Sequence, residues 1–266
     1  MKFENTEVFN FEGAIRGLRF PMQSGAKADS HYCLPNECIQ CKGQEPRDNS
    51  YHWDICTGED ISWTPYKIGS NDMDLCQRMI RAGSPNDKYL RQIMVAVDIQ
   101  APLYWWKEAD TYKVGTVADS ESTMHKLAST PITIDCFETD DYNPDLIFET
   151  GIDDRGDNPW GYELQIKDQV GICEENSYWG ETIIGFLESL RKKYLETKDI
   201  HYWKELIRWL PESWLQKRHW TANYAVLRNM YYWRVVVPHK LTEWQTFGRW
   251  VESLPYAKEL IMYDMK

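Results

Sequence analysis

The sequence predicts an α+β protein, and three observations lead there. Apolar residues recur at helical spacing through most of the last third of the chain. A short apolar run, Ile93 to Ile99 (IMVAVDI), has the length and β-branched content of a buried strand. Strands and helices do not alternate regularly, so an α+β or loosely ordered α/β arrangement is expected rather than a doubly wound sheet.

Taken in order, Thr6 to Arg19 is expected to be helical, with Phe9, Phe11, Ile15 and Leu18 near one face and Pro21 just past its end. Residues from about 22 to 69 are rich in Gly, Pro, Asn, Asp and Cys and read as a long irregular insertion in a single domain spanning residues 1 to 266. A helix resumes at Asn71, with Met73, Cys76, Met79 and Ile80 as its inner stripe and Gly83 as its stop. After the strand, Pro102 is placed as a first helical residue. Lys107 to Leu127 is polar and hydroxylated, which suits a site or a turn-rich connection. The acidic stretch from Asp135 to Asp157 reads as a solvated loop. Four helices follow, over Thr182 to Lys198, Ile200 to Leu210, Thr221 to Arg234 and Leu241 to Leu254, with breaks at Pro211 and Pro238.

Size and charge narrow the function. At 266 residues and 31.5 kDa the chain can bury a full core without staples. Its formal charge of -11 repels nucleic-acid backbones and anionic membrane surfaces, which argues against a duplex binder. No stretch reaches the roughly 18 continuous apolar residues of a membrane span, and the start lacks a basic, then apolar, export signal, so a cytoplasmic protein is expected. Within this acidic chain, Lys204 to Arg249 carries eight Lys or Arg against three Glu, a local basic surface suited to a small anionic ligand. Thirteen tryptophans and sixteen tyrosines are the unusual entries in the composition. Trp105, Trp106, Tyr112 and Tyr232 are candidates for stacking walls, with core packing as the alternative.

Seven cysteines, an odd number, argue against a disulfide framework. Cys33, Cys38, Cys41 and Cys56 crowd into one region, and the Cys38/Cys41 pair has the spacing that supplies two corners of a tetrahedral zinc site. The second pair lacks that spacing, so the cluster reads either as a zinc site or as unliganded thiols in a loop.

Two segments carry a resemblance to a known family. In NYAVLRNMYYWR, Asn223, Leu227, Asn229 and Arg234 keep the spacing of a pattern in the flavin-dependent thymidylate synthases, and His239 with Glu243-Trp244 continues it. The family's signature, Arg-His-Arg followed by seven residues and a Ser, falls on Tyr112-Lys113-Val114 and Ser122, so the spacing and the Ser are kept while all three basic positions differ. Gly83-Ser84-Pro85 resembles the family's turn before its central strand. The chain also resembles phage- and gut-bacterium-type proteins with YWWKxxDTYKVGT and STMHK segments.

The resemblance implies a thymidylate-synthase-complementing-protein-like fold, a twisted and mainly antiparallel sheet with long C-terminal helices, assembled as a homotetramer. It implies FAD as the carrier of hydride and a pyrimidine nucleotide as the small anionic partner. By the same resemblance Lys113, Ser122 and Arg234 would contact the nucleotide, and Tyr112, Asn223, Asn229 and His239 the cofactor. Two readings are compatible with these residues: a flavoprotein that modifies the nucleotide, and a non-catalytic oligomer, phage or host-defence related, that binds or sequesters it. No catalytic residue is assigned by either.

Overall fold

A computed structural model describes residues 1–32, 61–63, 66–139 and 178–265. These fall into two compact units, Met1–Ser120 with Lys217–Lys266, and Glu121–Gln216.

The first unit is built on a five-stranded sheet. Its strands are β1 (Lys2–Phe9), β3 (Ile61–Trp63), β5 (Met94–Pro102), β6 (Val117–Ser120) and β7 (Leu215–Asn223), in the order β3-β1-β5-β7-β6. The β1/β5 and β6/β7 pairs are antiparallel, with Val8 opposite Val95 and Val117 opposite Thr221, and β3 runs parallel to β1. A small second sheet pairs β2 (His31–Tyr32) with β4 (Tyr66–Lys67). The last paired residues of β6 and β7, Ser120 opposite Arg218, stand where the chain leaves for the second unit and returns from it.

Strand β5 confirms the expected strand: Val95, Val97, Ile99 and Ala101 are buried, while Asp98 and Gln100 on the other face are half-exposed. Against the buried face pack α1 (Phe11–Leu18), α2 (Ser70–Ala82), α3 (Leu103–Ala109), α7 (Tyr224–Tyr231) and α8 (Glu243–Ser253). Phe11, Leu75, Trp105, Trp106, Leu227, Trp244 and Phe247 are each at most 1% exposed. At about 1.5–3 kcal/mol for each large apolar side chain removed from water, this cluster dominates the unit's stability. Trp105 and Trp106 are therefore core, not stacking walls.

Two expected helices begin later than their periodicity suggests. Thr6 to Phe9 belongs to β1, where Thr6 and Val8 are buried and Glu7 is exposed, a period of two; the chain turns into α1 only at Asn10, with φ 70°. Thr221 to Asn223 likewise ends β7, and α7 starts at Tyr224. Pro102 closes β5 and precedes α3 rather than opening it.

Within the expected insertion, residues 29 and 30 are tied to α2. The Asp29 carboxylate accepts the backbone N–H groups of Asn71 (2.8 Å) and Asp72 (3.0 Å), capping that helix. The fully buried Asp72 accepts from Arg19 Nε (2.5 Å), Ser30 Oγ (2.6 Å) and the backbone N–H groups of Asp29 and Ser30. Burial alone would raise its pKa, but the bonds from Ser30 and Arg19 outweigh burial and hold it below the ordinary carboxylate value.

The second unit contains α4 (Thr123–Lys126), α5 (Tyr178–Thr197) and α6 (Ile200–Arg208), with Leu127, Ile132, Phe137, Leu187 and Leu206 at its centre. Glu188 receives two bonds from Arg191 and one from the Ile132 N–H, which brings its carboxyl down to about 2. Among the described residues no helix is long and apolar enough to cross a membrane.

Candidate functional site

The polar cluster of the first unit begins with α3. A four-residue spacing puts Tyr104 and Glu108 on one side of that helix, while Trp105, Trp106 and Ala109 turn inward. The turn that follows carries Tyr112, Lys113 and Val114, and Thr116 closes it by donating its hydroxyl to the Tyr112 carbonyl at 2.9 Å. From the other side comes α7, whose end widens into a π-type turn over Tyr232–Val236. Such turns change the direction of a side chain near a helix end and recur at functional sites. Here the displaced side chain is Arg234.

Arg234 Nε donates to the Tyr112 hydroxyl at 3.1 Å, and Nη1 stands 3.3 Å from Glu108 Oε2. Its guanidinium also lies over the rings of Tyr112 and Trp244, at 5.6 and 5.3 Å. The same Glu108 oxygen takes two further groups, His239 Nε2 at 3.1 Å and the Trp244 indole N–H at 3.2 Å. The other nitrogen of His239, Nδ1, accepts the Leu241 backbone N–H at 3.1 Å. The Nδ1 lone pair is thus committed to the Leu241 N–H, and Nε2 is the ring nitrogen that faces Glu108. Beside it the Tyr104 hydroxyl donates to the buried carboxylate of Glu243.

The residues expected to form a site are partly gathered here. Tyr112, Arg234 and His239 meet around Glu108, and Lys113 is exposed on the adjoining turn. Asn223 is a helix cap: it is buried, and its Oδ1 accepts the Val226 N–H at 3.0 Å. Its expected place beside Asn229 on one helix is corrected by the strand that it ends. Asn229 is exposed on α7, and Ser122 belongs to the second unit, half-buried. Cys33, Cys38, Cys41 and Cys56 lie outside the described residues, among which no group of three or more His, Cys, Asp or Glu could hold a metal.

The expected basic surface is in part internally neutralised. Besides Arg234, Arg218 lies over Trp106 and pairs with Asp110, and Arg228 donates to the carbonyls of Ile261 and Tyr263. Glu108 itself is a residue that sequence reasoning missed. Its only signal is its position, four residues before Tyr112 at the end of an aromatic helix.

Comparison with known proteins gives one kind of match. No protein-family model matches the chain, and no curated protein does. Among solved structures it is similar to the flavin-dependent thymidylate synthase ThyX from Helicobacter pylori complexed with FAD and dUMP, with a TM-score of 0.55 and 14% identity, over 99% of this chain and 98% of that one. A second structure of thymidylate synthase X from Helicobacter pylori, also with FAD and dUMP, gives 0.56 and 14% over the same shares. The fold of this chain is therefore that of the flavin-dependent thymidylate synthases, as the sequence motifs imply.

Proposed function

We propose that this chain is a divergent flavin-dependent thymidylate-synthase-like protein that binds a pyrimidine nucleotide, with Arg234 as the principal contact, and that it works as a homotetramer. The observation that carries the reading is Arg234 itself. A half-buried guanidinium, fixed by Tyr112 and Glu108 and backed by the Trp244 ring, is a preorganised set of donors in a fold whose solved examples hold FAD and dUMP.

FAD would meet the exposed amide of Asn229 and the ring faces of Tyr112 and His239, which are only partly buried. Asn223 does not fit that role, since its carbonyl oxygen caps α7. When bound, the flavin would supply hydride transfer; the protein's own groups bind and orient.

The second reading, a non-catalytic nucleotide-binding or nucleotide-sequestering oligomer, is favoured by a specific observation. Both nitrogens of His239 are engaged within the protein, and the turn at residues 112–114 carries one cation where the resembling signature has three. Purification followed by visible absorption separates the two, because a bound flavin is yellow. Calorimetry with dUMP tests what they share: Arg234→Ala is expected to weaken binding about 10- to 100-fold, the loss of one bond of about 1.5–3 kcal/mol to a charged donor. Unchanged affinity in Arg234→Ala overturns the proposed contact.

A further inference from the structure

We infer that Arg218 is a positioning residue: it holds the Asp110 carboxylate against β7, and so leaves the Lys113 ammonium, three residues further on, open to the phosphate of a nucleotide. This rests on the nucleotide-binding reading above and adds the group on the turn that meets the anion.

The turn that carries Lys113 is tied to β7 at both of its ends. Where it starts, Arg218 Nη1 donates to the two oxygens of Asp110, at 2.9 and 3.1 Å. Where it ends, the chain enters β6, whose Val117 and Ser120 lie opposite Thr221 and Arg218. Arg218 is itself well fixed. Its guanidinium carbon stands 4.1 Å over the ring of the buried Trp106, and its side chain is 13% exposed. Asp110 is held through its backbone as well, since its N–H donates to the Trp106 carbonyl at 2.8 Å as α3 ends.

The coil does not stop at Asp110. The Thr111 N–H donates to the Glu108 carbonyl at 3.1 Å and the Tyr112 N–H to that of Ala109 at 3.0 Å. Side chains three apart along such a coil are neighbours, and opposite charges there attract. Asp110 and Lys113 have that spacing, yet Asp110 pairs with Arg218, and among the described residues Lys113 makes no ion pair. Lys113 is also the one cation of the Tyr112-Lys113-Val114 turn, exposed on a flexible stem, which is how a lysine meets a phosphate as a point charge. Without Arg218, the Asp110 carboxylate would stand beside Lys113 uncompensated, drawing on its charge and repelling an arriving anion.

The test is calorimetry with dUMP on the full chain, at low salt and at about 0.5 M salt. Arg218→Met, which keeps an apolar stem on Trp106 and removes the charge, is expected to weaken dUMP about three- to tenfold at low salt and less than about twofold at high salt. Asp110→Asn alone is expected to bind dUMP at least as tightly as the wild type. Added to Arg218→Met, it is expected to restore affinity to within about twofold of the wild type. A pair that merely held the shape of the turn would behave otherwise: Asp110→Asn would itself weaken binding, would not rescue Arg218→Met, and salt would leave the loss unchanged. Any of these three results overturns the inference, and so does wild-type affinity in Arg218→Met, while the nucleotide reading stands. Absence of dUMP binding by the wild type removes the reading and the inference together. If Arg218→Met does not fold, Asp110→Asn decides together with Lys113→Ala, which is expected to weaken dUMP by more than about threefold at low salt; an unchanged affinity in Lys113→Ala overturns the inference.

Discussion

Gly115 lies so close to the Asn223 side chain that a Cβ on it would stand 2.7 Å from Asn223 Nδ2 and 3.2 Å from Val226 Cγ2. The turn that carries Tyr112 and Lys113 is thereby seated on the first residues of α7, the helix that leads to Arg234. Its backbone there has φ +87°, open to glycine and strained for other residues. One glycine thus holds the two ends of the candidate site to each other.

Gly115→Ala is expected to destabilise the protein by about 1–3 kcal/mol, from a positive φ and a contact shorter than real Cβ atoms make. Urea unfolding measures it. A variant as stable as the wild type would show that the turn shifts freely and does not locate Tyr112.

Replacement of Asn223 separates a cap from a cofactor ligand. Asn223→Ala removes the acceptor for the Val226 N–H and is expected to cost about 0.5–2 kcal/mol with no ligand present. Asn223→Asp, which keeps the acceptor, is expected to recover most of that loss. Ligand affinity that falls while ligand-free stability holds would contradict the cap.

Acid is expected to weaken the protein through Asp72. Its folded pKa is depressed, so its stabilising contribution is complete above the unfolded value of about 3.9 and is lost as pH falls through the lower folded value. Asp72→Asn leaves Arg19 buried without its counter-charge, at a cost of about 3–5 kcal/mol near neutral pH. Urea midpoints at several pH values are expected to show a shallower acid loss in Asp72→Asn than in the wild type. Parallel acid limbs would assign the pH dependence elsewhere.

How much of this was legible in the sequence depended on whether the responsible force is local. Strand β5 and helices α2, α5, α6 and α8 show plainly, because each repeats apolar residues at its own period over many positions. Thr6 to Phe9 misled because its apolar residues also fit a helix, and only pairing with Met94–Ala96 of β5 decides between the two. Thr221 to Asn223 misled for the same reason: the β6 partner lies about a hundred residues earlier. In the candidate site, Arg234, Tyr112 and His239 were found through motif spacing. Glu108 was not, since a lone carboxylate in a charged stretch carries no pattern until the fold brings Arg234 and His239 onto its oxygen.

The position of β7 between β5 and β6 gives the order of synthesis a role. The ribosome delivers β5 and β6 first, then nearly all of Glu121–Gln216, and only at its end the strand that both of them need. At roughly 5–20 residues per second, that delay lasts on the order of 5–20 seconds. Throughout it, among the described strands, one edge of β5 has no partner and β6 has none. An open apolar strand edge invites pairing with other chains. The nascent protein is therefore most exposed to misassembly during the interval in which its second unit is being made.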